Sequence, residues 1–172
     1  YKTITGRGDL PTVLQGLQSA KDAGFKKIKL NCVVRRGEND EEILDMAEFA
    51  RENGFTLRFI EFMDVGTSNQ WSLDRLITKK ELFEIIESKY TLKPAGRETP
   101  NAPSVDYEYS DGKGKLGVIA SISEPFCGAC SRARLTADGS LVTCLFANTG
   151  FDVKTLLRSG QSDDEIRKEI TN

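Results

Sequence analysis

The chain has 172 residues, 38% of them hydrophobic and 29% charged, a composition typical of a globular domain with one real core. Its 24 basic and 26 acidic side chains give a formal net charge of −2, so no overall positive field is available to hold a nucleic acid or an anionic membrane. The sequence contains no histidine, which excludes histidine-ligated zinc sites and mechanisms that use imidazole as the proton carrier. Its apolar stretches are short, so we predict no membrane span.

The first part of the chain alternates between helix and strand patterns. A helix with Asp9 as its N-cap is expected over 9–24, and a strand is expected over 26–34, where apolar and polar residues alternate. A second helix should begin at a capping box made by Asn39 and Glu42, and a second strand should follow over 56–63. This order predicts parallel strands joined by right-handed crossovers, and therefore part of an α/β sheet or barrel.

After residue 66 the pattern changes toward antiparallel structure. The expected features, in order, are a helix opened by a capping box of Thr78 and Glu81, an irregular proline-rich stretch over 94–103, a hairpin of 105–110 with 115–123 joined by Asp111-Gly112, and helices that begin near Asp152 and at Ser162 with a capping box to Glu165. A complete eight-stranded α/β barrel needs roughly 250 residues. The expected fold is therefore α/β: a fragment of a TIM-type (β/α) barrel followed by a C-terminal hairpin and helices.

Three of the four cysteines, Cys127, Cys130 and Cys144, form a candidate metal site. Asp138-Gly139 is expected to act as a two-residue hairpin turn that pairs Arg134 with Thr143 and so carries Cys144 back toward the other two. Three thiolates without a histidine favour an iron–sulfur cluster with one open iron. The alternatives are a zinc site completed by Cys32 or a carboxylate, a redox CxxC, and unrelated buried thiols.

Cationic side chains form a candidate anion site. Arg132 and Arg134 are two residues apart on an expected strand, so both should point the same way, and guanidinium groups suit phosphate. Lys29 lies on the polar side of its strand, and Arg58 has the equivalent place on the next strand. In a barrel this side would face the lumen, where a packed barrel carries apolar residues. These positions indicate either an open cavity for an anionic ligand or an exposed sheet face.

Several long motifs resemble the C-terminal half of the GTP 3′,8-cyclase family of molybdenum cofactor biosynthesis, the molybdenum cofactor biosynthesis protein A family of radical S-adenosylmethionine enzymes. The motifs are KKIKLN at 26–31, GENDEE at 37–42, RFIEFMDVG at 58–66, ISEPFCGACSRARLTADG at 122–139 and CLF at 144–146. The resemblance implies a lyase that converts GTP to (8S)-3′,8-cyclo-7,8-dihydroguanosine 5′-triphosphate. It also implies two regions: residues 1–66 as the second half of a partial barrel, and residues 67–172 as the part that carries the auxiliary cluster and binds substrate.

The resemblance also assigns roles to individual residues. Cys127, Cys130 and Cys144 would ligate the second 4Fe-4S cluster, whose open iron binds the guanine of GTP. Five residues would contribute to GTP binding: Lys29, Arg58, Arg132, Ala133 and Arg134. Met63 would contact S-adenosylmethionine, although its spacing alone indicates a core residue.

The family's N-terminal CxxxCxxC motif, which holds the cluster that cleaves S-adenosylmethionine, has no counterpart in these 172 residues. The chain begins at Tyr1, and we expect it to be a fragment or processed product that is inactive alone. Its expected partners are GTP, the N-terminal barrel half and, functionally, the cyclic pyranopterin monophosphate synthase that uses the product, in the cytoplasm; a homodimer is left open. The alternative function is a non-catalytic iron–sulfur module for electron transfer in another radical enzyme.

Overall fold

The computed structural model describes residues 1–65 and 70–171. They form two compact units, the first extending to Phe126 and the second formed mainly by the residues from Cys127 onward. The boundary expected between residues 66 and 67 lies outside the described residues. Across the described part of the chain, none of the helices combines the length and the apolar character needed to cross a membrane.

Helices and strands alternate in the earlier part of the first unit, which ends in three consecutive strands, and the second unit is a small sheet with two helices. The helices are α1 (Lys2–Thr5), α2 (Leu10–Asp22), α3 (Ile43–Asn53), α4 (Lys79–Glu87), α5 (Val153–Arg158) and α6 (Asp163–Thr171). The strands are β1 (Lys29–Val34), β2 (Thr56–Glu61), β3 (Leu92–Gly96), β4 (Val105–Tyr109), β5 (Lys115–Ile119), β6 (Arg134–Leu135), β7 (Ser140–Val142) and β8 (Phe151–Asp152).

The first unit contains a mixed five-stranded sheet in the order β1-β2-β5-β4-β3. Strands β1, β2 and β5 are parallel, whereas β4 runs antiparallel to both β5 and β3. The predicted α-β-α-β order and the β4–β5 hairpin are therefore confirmed. The prediction that 94–103 is irregular throughout is wrong at its start, because β3 includes Pro94; an edge strand tolerates proline, since one side of its backbone has no partner.

One face of this sheet forms the core of the unit. Side chains from the apolar phase of the alternation, including Val34, Phe59, Leu116 and Val118, are buried there. Helices α3 and α4 cover them with their own apolar residues, among them Ile43 and Ile86, which are fully buried. Because helices close this face, the polar side chains of the strands project from the opposite face.

Two of the predicted N-caps in the first unit are confirmed and one is wrong. Asp9 accepts a hydrogen bond from the backbone N–H of Thr12, and Thr78 forms a reciprocal capping box with Glu81. Asn39 does not cap α3. Its amide instead closes the turn after β1, because it accepts from the N–H of Arg35 at 2.8 Å and donates to the carbonyl of Val33 at 3.0 Å.

In the second unit, β6, β7 and β8 form an antiparallel sheet. The helices predicted near Asp152 and Ser162 are both present, with Asp152 capping α5 and Ser162 paired with Glu165 at the start of α6. The predicted hairpin register is wrong by one residue, since Arg134 pairs with Val142. The loop has three residues rather than two: Thr136 donates to the carbonyl of Ser140, and Gly139 adopts φ of 90°, as in a bulged hairpin.

Candidate functional site

The polar face of the five-stranded sheet carries the first group of candidate residues. The strand register places Asn31, Arg58, Gly117 and Asp106 in one row across β1, β2, β5 and β4. Lys29 lies on the same face, two residues before Asn31 on β1. The sequence prediction that Lys29 and Arg58 project on the side opposite the core is therefore confirmed.

Gly117 makes room for the side chain of Arg58. A Cβ atom at this position would lie 2.8 Å from Cγ of Arg58 and 2.5 Å from Oγ of Ser104. Ser104 is 1% exposed and donates to the carboxylate of Asp106 at 2.7 Å. The glycine thus lets a long cationic side chain lie flat over the centre of the sheet, beside a buried hydroxyl–carboxylate pair.

Lys29 and Arg58 converge on one carboxylate. Nζ of Lys29 lies 2.8 Å from Oε2 of Glu98, and a terminal nitrogen of Arg58 lies 3.9 Å from the same oxygen. The Arg58 side chain is 17% exposed, and its buried Nε has no hydrogen-bond partner among the described residues. A buried donor without a partner is uncommon in a folded protein. Arg58 therefore keeps an unused hydrogen-bond donor on this face of the sheet.

A cavity of about 350 Å³ adjoins Lys29. Its lining contains four cationic and two acidic side chains, which are Lys27, Lys29, Arg97, Lys115, Glu98 and Asp106. Ala95 and Gly96 of β3 also line it, although β3 and β1 are opposite edges of the sheet. The cavity thus has an excess of positive charge and is bounded by residues from both edges of the sheet, which suits a polyanion.

The second group of candidates lies in the second unit. Cys127 begins a short 3₁₀ turn, and Cys130 donates its backbone N–H to the carbonyl of Cys127 at 3.1 Å. Cys144 follows β7. All three thiols are exposed and none is in a disulfide, so the alternative of buried structural thiols does not hold. Within the described residues, no three cysteine or acidic side chains are grouped closely enough to hold a metal ion.

The donor chemistry of these thiols fits an iron–sulfur cluster. The neighbouring Arg132 lowers the pKa of the Cys130 thiol, first through its backbone N–H and then through its guanidinium, whose Nε lies 3.3 Å from Sγ. This favours the thiolate that a cluster requires. Cys32 differs, because burial raises the pKa of its thiol to about 11. A thiol whose pKa is raised in this way is a poor fourth ligand, which disfavours a zinc site completed by Cys32.

Arg132 and Arg134 lie in different local conformations. Arg134 begins β6, and Ala133 and Arg132 lie in the irregular segment before it. The expectation that Arg132 and Arg134 share one face of a strand is therefore wrong. The reason is that β6 has only two residues, and Arg132 is turned toward Cys130 instead.

Met63 follows β2 in an irregular segment and is half-buried.

Glu61, two residues before Met63, is 3% exposed and accepts hydrogen bonds from the backbone N–H groups of Lys79, Ile122 and Ser123 at 2.7–2.8 Å. Sequence reasoning missed Glu61, although a carboxylate in the apolar phase of a strand is a recognisable signal. It also missed Glu98, which lies 69 residues from Lys29 in the chain and carries no local signal.

Comparisons with known proteins agree with the sequence motifs. The family model described as Molybdenum Cofactor Synthesis C matches residues 55–172. The chain is 43% identical over 170 residues to the GTP 3′,8-cyclase of Synechococcus sp. (strain CC9902), covering 96% of the chain and 49% of that protein. It is 43% identical over 162 residues to the GTP 3′,8-cyclase of Xanthomonas axonopodis pv. citri (strain 306), covering 94% and 48%. The chain therefore spans about half the length of the curated relatives it matches.

Proposed function

Because this chain belongs to the Molybdenum Cofactor Synthesis C family, we propose that it is the C-terminal, substrate-binding half of a GTP 3′,8-cyclase. In such an enzyme an N-terminal half would carry the first 4Fe-4S cluster and cleave S-adenosylmethionine, completing a partial barrel to which β1, β2 and β5 contribute. The product would be (8S)-3′,8-cyclo-7,8-dihydroguanosine 5′-triphosphate. The observation that carries the proposal is the pair Lys29 and Arg58, which share the polar face of the sheet and have a buried unpaired donor.

Cys127, Cys130 and Cys144 would hold the second 4Fe-4S cluster. When bound, that cluster supplies an open iron as a Lewis-acidic contact for the guanine. Three exposed thiols in one unit, with the pKa of one lowered by Arg132, support this assignment. The protein's own contribution would be to favour the thiolate form of Cys130 and to leave the fourth iron without a protein ligand.

Two groups of residues would bind GTP. Lys29 and Arg58 would bind from the sheet, with Arg58 at the triphosphate, while Arg132, Ala133 and Arg134 would bind beside the cluster. Met63 would contact S-adenosylmethionine. Arginine is well suited to phosphate because its guanidinium can donate two parallel hydrogen bonds. The chain alone should neither cleave S-adenosylmethionine nor turn over GTP, and its product in the full enzyme would pass to cyclic pyranopterin monophosphate synthase in the cytoplasm.

The proposal is tested by measuring GTP affinity and iron content together after anaerobic reconstitution. Replacing Arg134 by Ala should weaken GTP binding by about 1.5–3 kcal/mol, the usual contribution of a charge-assisted hydrogen bond, with iron content unchanged. Arg167→Ala is the matched control, because Arg167 is an exposed residue of α6 paired with Asp164. Unchanged GTP affinity in the Arg134 variant, or a loss that merely follows loss of iron, would contradict the assignment.

A further inference from the structure

Glu98 occupies the position that an anionic ligand of Lys29 and Arg58 would need. Its carboxylate oxygen Oε2 contacts Lys29 at 2.8 Å and lies 3.9 Å from Arg58. Lys29 lowers the pKa of Glu98, with smaller contributions from Arg58 and Lys27. The carboxylate is therefore ionised near neutral pH and balances part of the positive charge on this face.

The loop that carries Glu98 is held by its own hydrogen bonds. Arg97 donates to the carbonyls of Ala102 and Pro103 at 2.6 and 2.9 Å, and its guanidinium lies over the ring of Phe126. The loop follows a register irregularity between Pro94 and Gly96 in the edge strand β3. Such irregularities redirect a strand. The loop thus presents Glu98 to β1 at the opposite edge of the sheet.

The Glu98 side chain is nevertheless replaceable. It is 59% exposed, and among the described residues its ion-pair partners are the two cations alone. An exposed ion pair of this kind contributes little to folding, so breaking it leaves the rest of the loop intact. A negative charge remains necessary at this position, because Lys29, Arg58 and Lys27 would otherwise repel one another.

We propose that Glu98 is an intramolecular counter-ion of the anion site, and that the phosphate groups of the substrate replace its carboxylate on Lys29 and Arg58. This inference rests on the proposed function, since it assumes that these two cations bind phosphate. Because every anion must first displace a tethered carboxylate, singly charged ligands bind poorly and a polyphosphate, which makes several contacts at once, binds effectively. Glu98 thereby sets which anions the site retains, without contacting the reacting atoms.

The test uses inorganic triphosphate as the probe and the 172-residue chain as the protein, in an isothermal titration at low ionic strength. Glu98→Gln keeps the size of the side chain and removes its charge, so triphosphate should bind about two- to five-fold more tightly than to the unmodified chain. Glu48→Gln is the matched control, because Glu48 forms a similar exposed ion pair with Lys89 away from the cavity. That variant should bind triphosphate as the unmodified chain does.

A third variant separates this inference from the proposed function. If Arg58→Ala weakens triphosphate binding but Glu98→Gln leaves it unchanged or weaker, the anion site stands and the counter-ion role of Glu98 is wrong. If Arg58→Ala has no effect, or if neither the unmodified chain nor Glu98→Gln binds triphosphate, the anion site itself is wrong. An equal gain in Glu48→Gln and Glu98→Gln would show an effect of net charge only, and would also overturn the counter-ion role.

Discussion

Replacing Gly117 by alanine tests the packing of Arg58 on the sheet. The new Cβ would lie under 3.0 Å from three side-chain atoms, which belong to Ser104, Arg58 and Asp106. The Ser104 hydroxyl cannot move freely, because it is buried and bonded to Asp106, and Cγ of Arg58 is too near the backbone to move without the whole side chain. We expect the free energy of unfolding to fall by about 2–3 kcal/mol, toward the upper end of overpacking costs.

Urea denaturation followed by the fluorescence of Trp71 measures this change in the first unit. Trp71 is the one tryptophan in the sequence, and its indole N–H donates to the carbonyl of Phe62. Gly16→Ala is the control, since Gly16 lies within α2 and a Cβ there would meet no atom within 4 Å. The control should raise the free energy of unfolding by about 0.5–1 kcal/mol. If Gly117→Ala is as stable as the unmodified chain, Arg58 does not pack as described.

Two further predictions concern carboxylates outside the anion site. Glu61→Ala should lower the free energy of unfolding by about 2–4 kcal/mol in the same urea assay, because three partly buried backbone N–H groups lose their acceptor. Glu84→Ala, at an exposed position of α4, should change it little. A small effect of Glu61→Ala would contradict its role as the acceptor of these groups. The side chain of Arg51, and then the N–H of Lys113, lower the pKa of Asp111 from 3.8 to about 2. The stabilisation that ionised Asp111 provides is present above pH 3.8 and is lost as the pH falls toward 2. Asp111→Asn should therefore flatten the dependence of the free energy of unfolding on pH between these values. Identical pH profiles for the variant and the unmodified chain would contradict the pairing of Asp111 with Arg51.

Local patterns predicted much of the first unit, and long-range contacts explain what they missed. Strict alternation identified β1, and Thr78 with Glu81 marked the start of α4, because these signals depend only on neighbours in the chain. Asn39 was misassigned because the same amide can cap a helix or close a turn, and the turn after β1 uses it. Its local spacing cannot decide between the two.

In the candidate site, too, local patterns predicted some features and long-range contacts decided the others. The alternation in β1 and β2 indicated their polar faces, so the shared face of Lys29 and Arg58 could be predicted. Glu98 was not, because its place beside Lys29 depends on how the loop after β3 crosses the unit. The predicted pairing partner of Arg134 was wrong by one residue, because Asp138-Gly139 fits both a two-residue turn and a bulged three-residue loop.

The central claim is that one chain supplies both an iron–sulfur site and a GTP site, and electron paramagnetic resonance of the anaerobically reconstituted, reduced chain tests it most directly. We predict about four irons per chain, lost when Cys144 is replaced by Ser, and a cluster signal that changes when GTP is added. A cluster whose signal is indifferent to GTP would indicate an electron-transfer module instead. Failure to bind iron, or full retention of iron in Cys144→Ser, would contradict the cysteine assignment.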